Sequence, residues 1–182
     1  MDAALIAFAL CTLTAFGSRA HLLIAELGET LGRAIGLLAI AAFMALLTTA
    51  IMAILGAMLA EPLVGEERQW LIVCTLLLAA LELALPVKTP RLVEPTRSLG
   101  AIALVLFARQ IVDAPRLCAF ASAAALADPD HALAGGGLAA LLSTALAWFS
   151  CNRDFPQTTR NVVRRVLAAI LMALGLFIGS IV

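Results

Sequence analysis

Six long apolar runs, separated by short polar breaks, constrain this chain more than any other feature. A helix needs about 20 mostly apolar residues to cross roughly 30 Å of hydrocarbon. Runs of that kind occupy residues 3–27, 34–60, 69–86, 98–127, 132–150 and 164–182. Lipid offers no partner to an unpaired backbone amide or carbonyl, so all six are predicted to be helical. The expected fold class is an all-α membrane protein of six transmembrane helices. Composition agrees. The chain is 63% hydrophobic and 13% charged, against roughly 45–50% and about 25% in soluble domains. That excess of apolar side chains does not fit inside one water-soluble core.

The formal net charge is zero, which removes the electrostatic basis for binding nucleic acid. The bilayer itself is the expected partner. No nucleophile–base pair, phosphate loop or HExxH motif appears, so neither an enzyme nor a cofactor is expected. Cys11, Cys74, Cys118 and Cys151 form no CxxC or Cys/His pattern. Three of them lie within apolar runs, where cysteine packs as a small side chain. The opening MDAALIAFAL has no basic residue before Arg19, unlike the positive start of a secretory signal. It is read as the first span, retained in the mature protein.

Lys and Arg in the connections set the orientation. One side collects Arg33, Lys88, Arg91, Arg97, Arg153, Arg160, Arg164 and Arg165, and the other holds Arg68 alone. Both termini are therefore expected on the non-cytoplasmic side, in the inner membrane of a bacterial cell. Trp70 and Trp148 fall at span ends, where indoles anchor at the interface.

The chain divides near residue 90 into a first three-helix repeat, 1–90, and a second, 91–182. Each half opens with a long interrupted span and continues with two more. An odd number of spans per half gives the halves opposite orientations, the inverted-repeat plan of many secondary transporters, whose sites lie beside broken helices near the midplane. The interruptions fall at Gly17-Ser18-Arg19 and between Arg109 and Arg116. With an offset of 95 residues, Ser18 aligns with Asp113, His21 with Arg116 and Leu22 with Leu117.

Ionisable residues inside spans are costly and are the natural functional candidates. Asp113 lies four residues after Arg109 and three before Arg116, a spacing that brings both arginines to it on one helix face. Its alternatives are a structural ion cluster locking the break and a role with substrate or protons. Arg19 is expected either to pair with Asp113 across the halves or to snorkel to an interface. Glu82, one turn before Pro86, is expected to snorkel. Glu26 and Glu29, in AELGETLGR, are read as solvated, or as carboxylates at a cytoplasmic mouth. His21 is read as packing more readily than as a ligand. The Asp128-Pro129-Asp130-His131 segment reads as turn chemistry. Gly17 and the run Gly135 to Gly137 are expected to permit a kink or close helix approach.

The two interrupted spans, AFGSRAHLLIAELGETLGRA (15–34) and QIVDAPRLCAFASAAALADP (110–129), resemble the small six-span manganese/calcium–proton exchanger family of Golgi and bacterial membranes. That family carries Glu-x-Gly-Asp-(Lys/Arg)-(Thr/Ser), often followed by Gln, once in each half. Residues 22–60 and the ending RRVLAAILMALGLFIG (164–179) look like its first half and last span, so the resemblance covers nearly the whole chain by layout. In the first copy, Gly17 and Arg19 match, whereas Ala15, Ser18, Ala20 and His21 occupy the Glu, Asp, Thr/Ser and Gln positions. In the second, Asp113 matches, and Gln110, Val112, Ala114, Pro115 and Arg116 replace the rest.

The resemblance implies a secondary transporter exchanging a small inorganic ion, a divalent cation such as manganese or calcium, for protons. Asp113 would bind the ion, with Gln110, Ser18 and His21 as neutral ligands and Arg19 as a fixed charge. Divalent cations favour several hard oxygen ligands, and Arg19, Arg109 and Arg116 shift the local balance to positive. Two alternatives therefore stand beside it. One is an anion or zwitterion transporter with an arginine-lined site; the other is a non-transporting scaffold that has lost the cation site. Converging carboxylates (Glu26, Glu29, Glu82) would favour metal, and converging arginines would favour an anion.

Overall fold

The computed structural model describes residues 2–16, 18–86, 98–149 and 157–180. Gly17, the expected boundary between the halves, Lys88, Arg91, Arg97, Cys151 and Arg153 lie outside the described residues. Within them the chain is entirely helical. The order is α1 (Asp2–Ala15), α2 (Arg19–Thr30), α3 (Ile35–Ala60), α4 (Glu66–Ala84), α5 (Leu99–Gln110), α6 (Ala114–Leu126), α7 (Pro129–Phe149) and α8 (Gln157–Gly179). Two short helices followed by two long ones thus occur twice.

By length and apolarity, α3, α7 and residues Thr158–Gly179 of α8 can cross a membrane. The pair α1 and α2, bent by 57°, makes up to four. The helix α4 covers the expected third span but carries Glu66, Glu67, Arg68 and Glu82. The helices α5 and α6 together cover the expected fourth span, and each alone is a shorter apolar helix.

The interior is rich in alanine, beside buried leucines such as Leu23, Leu37, Leu83 and Leu106, and many of the large apolar side chains lie on the exterior. Ala41, Ala45, Ala53, Ala79, Ala119, Ala123, Ala132 and Ala147 are buried, while Phe43, Leu55, Met58, Ile170, Leu176 and Phe177 face outward. A protein folding in water places its large apolar side chains inside, because their removal from water drives the collapse. In lipid that drive between helices is missing, and small residues win the interface because they let helices approach. The long apolar helices and the apolar exterior are compatible with an integral membrane protein.

Close approach is most acute at two glycines. A Cβ on Gly135 of α7 would collide with the backbone of Ala4 in α1, and one on Gly56 of α3 with the backbone of Phe120 in α6. The helices α1 with α7, α3 with α6, and α4 with α8 are the most extensively packed pairs. The glycine run was expected to serve this purpose, and Gly135 does so.

Among the described residues, three arginines terminate helices from a distance. Arg68 donates from Nε to Ala124 O at 2.7 Å and from a terminal nitrogen to Ala125 O at 3.0 Å. These are carbonyls of the last turn of α6, which have no partners within their own helix. Arg33 donates to Phe149 O at the end of α7 at 3.0 Å. Arg164 donates to Glu82 O at 2.8 Å and Leu85 O at 3.3 Å, at the end of α4. A cation at a helix C-terminus also complements the dipole. Replacing Arg68 with alanine is expected to cost about 1–3 kcal/mol, the scale of charged hydrogen bonds, read as a lowered melting temperature in detergent. An unchanged melting curve would show these contacts to be energetically idle.

The turn before α7 behaves as its sequence suggests. Asp128 caps the helix, accepting from the His131 N–H at 3.1 Å and contacting the imidazole at 2.9 Å. The donated N–H holds the Asp128 carboxyl below its usual range.

Candidate functional site at the two helix breaks

Both breaks arise from local chemistry. Ser18 stands at the N-cap of α2, and its hydroxyl accepts from the His21 N–H at 3.2 Å. Asp113 stands at the N-cap of α6, with Pro115 in the first turn. Proline lacks the N–H that would bond back into a continuing α5 and is pre-set for a helix start. The predicted offset therefore aligns two helix N-caps, Ser18 and Asp113.

The two caps meet. The Ser18 hydroxyl and the Ala20 N–H face the Asp113 carboxylate, yet neither of its oxygens completes a hydrogen bond. Asp113 is only 1% exposed. Arg116, also buried, donates from Nε to the Thr48 hydroxyl at 3.3 Å, and that hydroxyl lies 3.3 Å from Gln110 Oε1. Gln110 is fully buried and its amide nitrogen has no partner. The chain Arg116, Thr48, Gln110 joins α6, α3 and α5 beside Asp113.

Next to it lies a second group. Glu82 Oε1 is 2.9 Å from Arg19 Nε and 3.3 Å from a terminal nitrogen of Arg164. Arg164 is 1% exposed. Glu82 and Asp113 are close enough for their charges to act on one another. Among the described residues, these groups place three guanidinium groups beside two carboxylates. Two helix N-termini, each a source of partial positive charge, point into the same region.

Of the residues expected at the site, Ser18, Gln110, Asp113, Arg19 and Arg116 come together there. Glu82 joins them, buried in an ion pair and not snorkelling. Arg109 does not. It is exposed on α5, because the helix stops at Gln110 and restarts at Ala114, so the three- and four-residue spacing does not carry through the break. His21 lies apart, against Phe16, Thr12, Ser143 and Leu146 in a shallow, mostly apolar recess between α1, α2 and α7. Glu26 is half-buried and Glu29 exposed. They sit roughly two and three turns along α2 from Ser18. Arg164 and Thr48 were not singled out in the sequence. The only signal for Arg164 was a basic pair opening an apolar run, which reads as an interfacial charge.

Among the described residues, no three of His, Cys, Asp and Glu gather in a way that would hold a metal ion. Cys11, Cys74 and Cys118 are free thiols. Comparison with known proteins finds no matching family model, curated protein or solved structure.

Proposed function

We propose that this chain is a secondary transporter of a small anionic or zwitterionic solute, coupled to protons. It crosses the membrane six times, as α1–α2, α3 and α4 in one half and α5–α6, α7 and α8 in the other, the halves being inverted. The observation that carries the reading is the meeting of the two helix breaks: Ser18 and Asp113, 95 residues apart, stand at the N-cap positions of two helices and face each other in the buried interior. Broken helices that bring their N-termini to one buried point are the means by which several transporters hold an anionic group. Arg116, buried beside Asp113, and Arg19 favour negative charge at that point. Asp113 and Glu82 supply carboxylates that can gain and lose a proton, and in a zwitterion they would hold the positive end.

A second reading, exchange of manganese or calcium for protons, is favoured by the approach of Glu82 to Asp113. Both Asp113 oxygens and Glu82 Oε2 have no hydrogen-bond partner, and carboxylate oxygens are what such cations prefer. It also agrees with the sequence resemblance. Sealed vesicles containing the purified protein separate the two. Manganese, calcium, phosphate and a zwitterionic amino acid are each followed under an imposed proton gradient. The expected result is proton-dependent uptake of an anion or amino acid, reduced to the level of empty vesicles by Asp113→Asn. Metal flux lost in the same variant would replace the first reading with the second. Flux of none of them, in folded and inserted protein, would overturn both and favour a scaffold.

A further inference from the structure

We infer that the Arg19–Glu82–Arg164 triad is a gate, closed in this structure, that separates Asp113 from the water on the side where α4 ends. The inference deepens the transport reading by assigning the control of access to the same site.

Exposure across the triad is graded. The Arg19 side chain is 33% exposed, that of Glu82 10% and that of Arg164 1%. Arg19 therefore reaches the outside, Glu82 lies behind it, and Asp113 lies further in, 1% exposed. The triad also joins parts that pack separately. The helix α4 packs chiefly on α8 and α6, whereas α2 packs on α7, α5 and α3. Among the described residues, Arg19–Glu82 is the one ion pair linking α2 to α4.

The two arms of the triad differ in kind. Arg164 also donates to Glu82 O and Leu85 O, so it is fixed to the end of α4 and holds the Glu82 carboxylate in place. Arg19 touches the triad through one contact, at the first residue of α2, directly after the break. Arg19 is a third exposed, so water or an arriving charge can compete for its side of the contact. Withdrawing Arg19 from Glu82 uncovers the path to Asp113. Arg164 stays, and keeps Glu82 from becoming an unpaired buried charge.

The test reads accessibility and needs no substrate. A thiol is placed at the site by Asp113→Cys, and separately by Ser18→Cys, in protein whose four native cysteines are replaced by alanine. Each reporter is combined with Arg19, Arg19→Gln or Arg19→Lys, confirmed as a single species by size exclusion, and treated in sealed vesicles with a membrane-impermeant thiosulfonate. With Arg19 present, labelling is expected to be slow. Arg19→Gln should speed it at least about tenfold, the equivalent of about 1.4 kcal/mol, from one face of the membrane only. Arg19→Lys, which restores the charge, should return it towards the slow rate. Equal labelling rates for all three at both reporters would overturn the gate. Faster labelling in a protein that moves none of the tested solutes leaves the gate standing and removes the transport reading. Transport with no change in labelling does the reverse.

Discussion

Valine at position 135 is expected to separate α1 from α7 and leave little folded protein. The Cβ alone would collide with the backbone of Ala4, which has no rotamer to change, so only movement of a whole helix relieves the contact. Inserting atoms into a well-packed interior costs about 1–3 kcal/mol and sometimes more. At this crossing the neighbours are small, Ala7, Ala53, Ala123 and Ala132, and close contact is what holds such helices together. Gly56→Val should fail in the same way through Phe120 of α6. Gly175→Ala is the control, since its nearest neighbours are the flexible Leu77 side chain at 3.5 Å and Leu76 Cβ at 3.6 Å. Thermal unfolding in detergent, with size exclusion, measures all three. If Gly135→Ala melted within error of the unaltered protein, the proposed tightness of the α1–α7 crossing would be wrong.

Loss of Arg164 should be the most damaging change to a charged residue. It strips Glu82 of its buried partner and leaves the Glu82 and Leu85 carbonyls without that donor. Breaking a buried ion pair by removing one member costs about 3–5 kcal/mol, whereas removing both is often close to neutral. Arg164→Met should therefore melt well below the unaltered protein, and Arg164→Met with Glu82→Gln should recover much of the difference. A single variant no less stable than the double one would show that Arg164 contributes little through Glu82. Arg19→Met should be far milder, because Arg19 is a third exposed and leaves Glu82 its inner partner.

What the sequence discloses is whatever depends on neighbours along the chain. Apolar runs, their interruption at Ser18 and ahead of Pro115, and the 95-residue offset are all local, and each reappears as a helix, a break or a pair of caps. What stayed hidden depends on packing across the chain. Arg164 and Arg165 look alike in sequence, and only the packing of α8 against α4 buries the first and leaves the second exposed. Thr48 reads as one more residue of an apolar span until α6 delivers Arg116 to it. Arg109 and Arg116 seem equivalent about Asp113 because helical spacing assumes an unbroken helix, and the break turns Arg109 outward. His21 follows Ser18 by three residues, but its position on α2 directs it towards α1 and α7. The approach of Glu82 to Asp113 brings together residues from α4 and from the break before α6, a pairing with no counterpart in the linear pattern.

The three arginines that close helix ends all do so across the midpoint of the chain. Arg33 and Arg68 come from the first half and serve α7 and α6, and Arg164 comes from the second and serves α4. During synthesis the chain up to α4 therefore carries two guanidinium groups awaiting carbonyls not yet made, and α4 ends on carbonyls awaiting a donor. The tight faces of α1 and α3 likewise await α7 and α6. The helices before residue 90 and those after it therefore complete one another, and neither set satisfies its own helix ends alone.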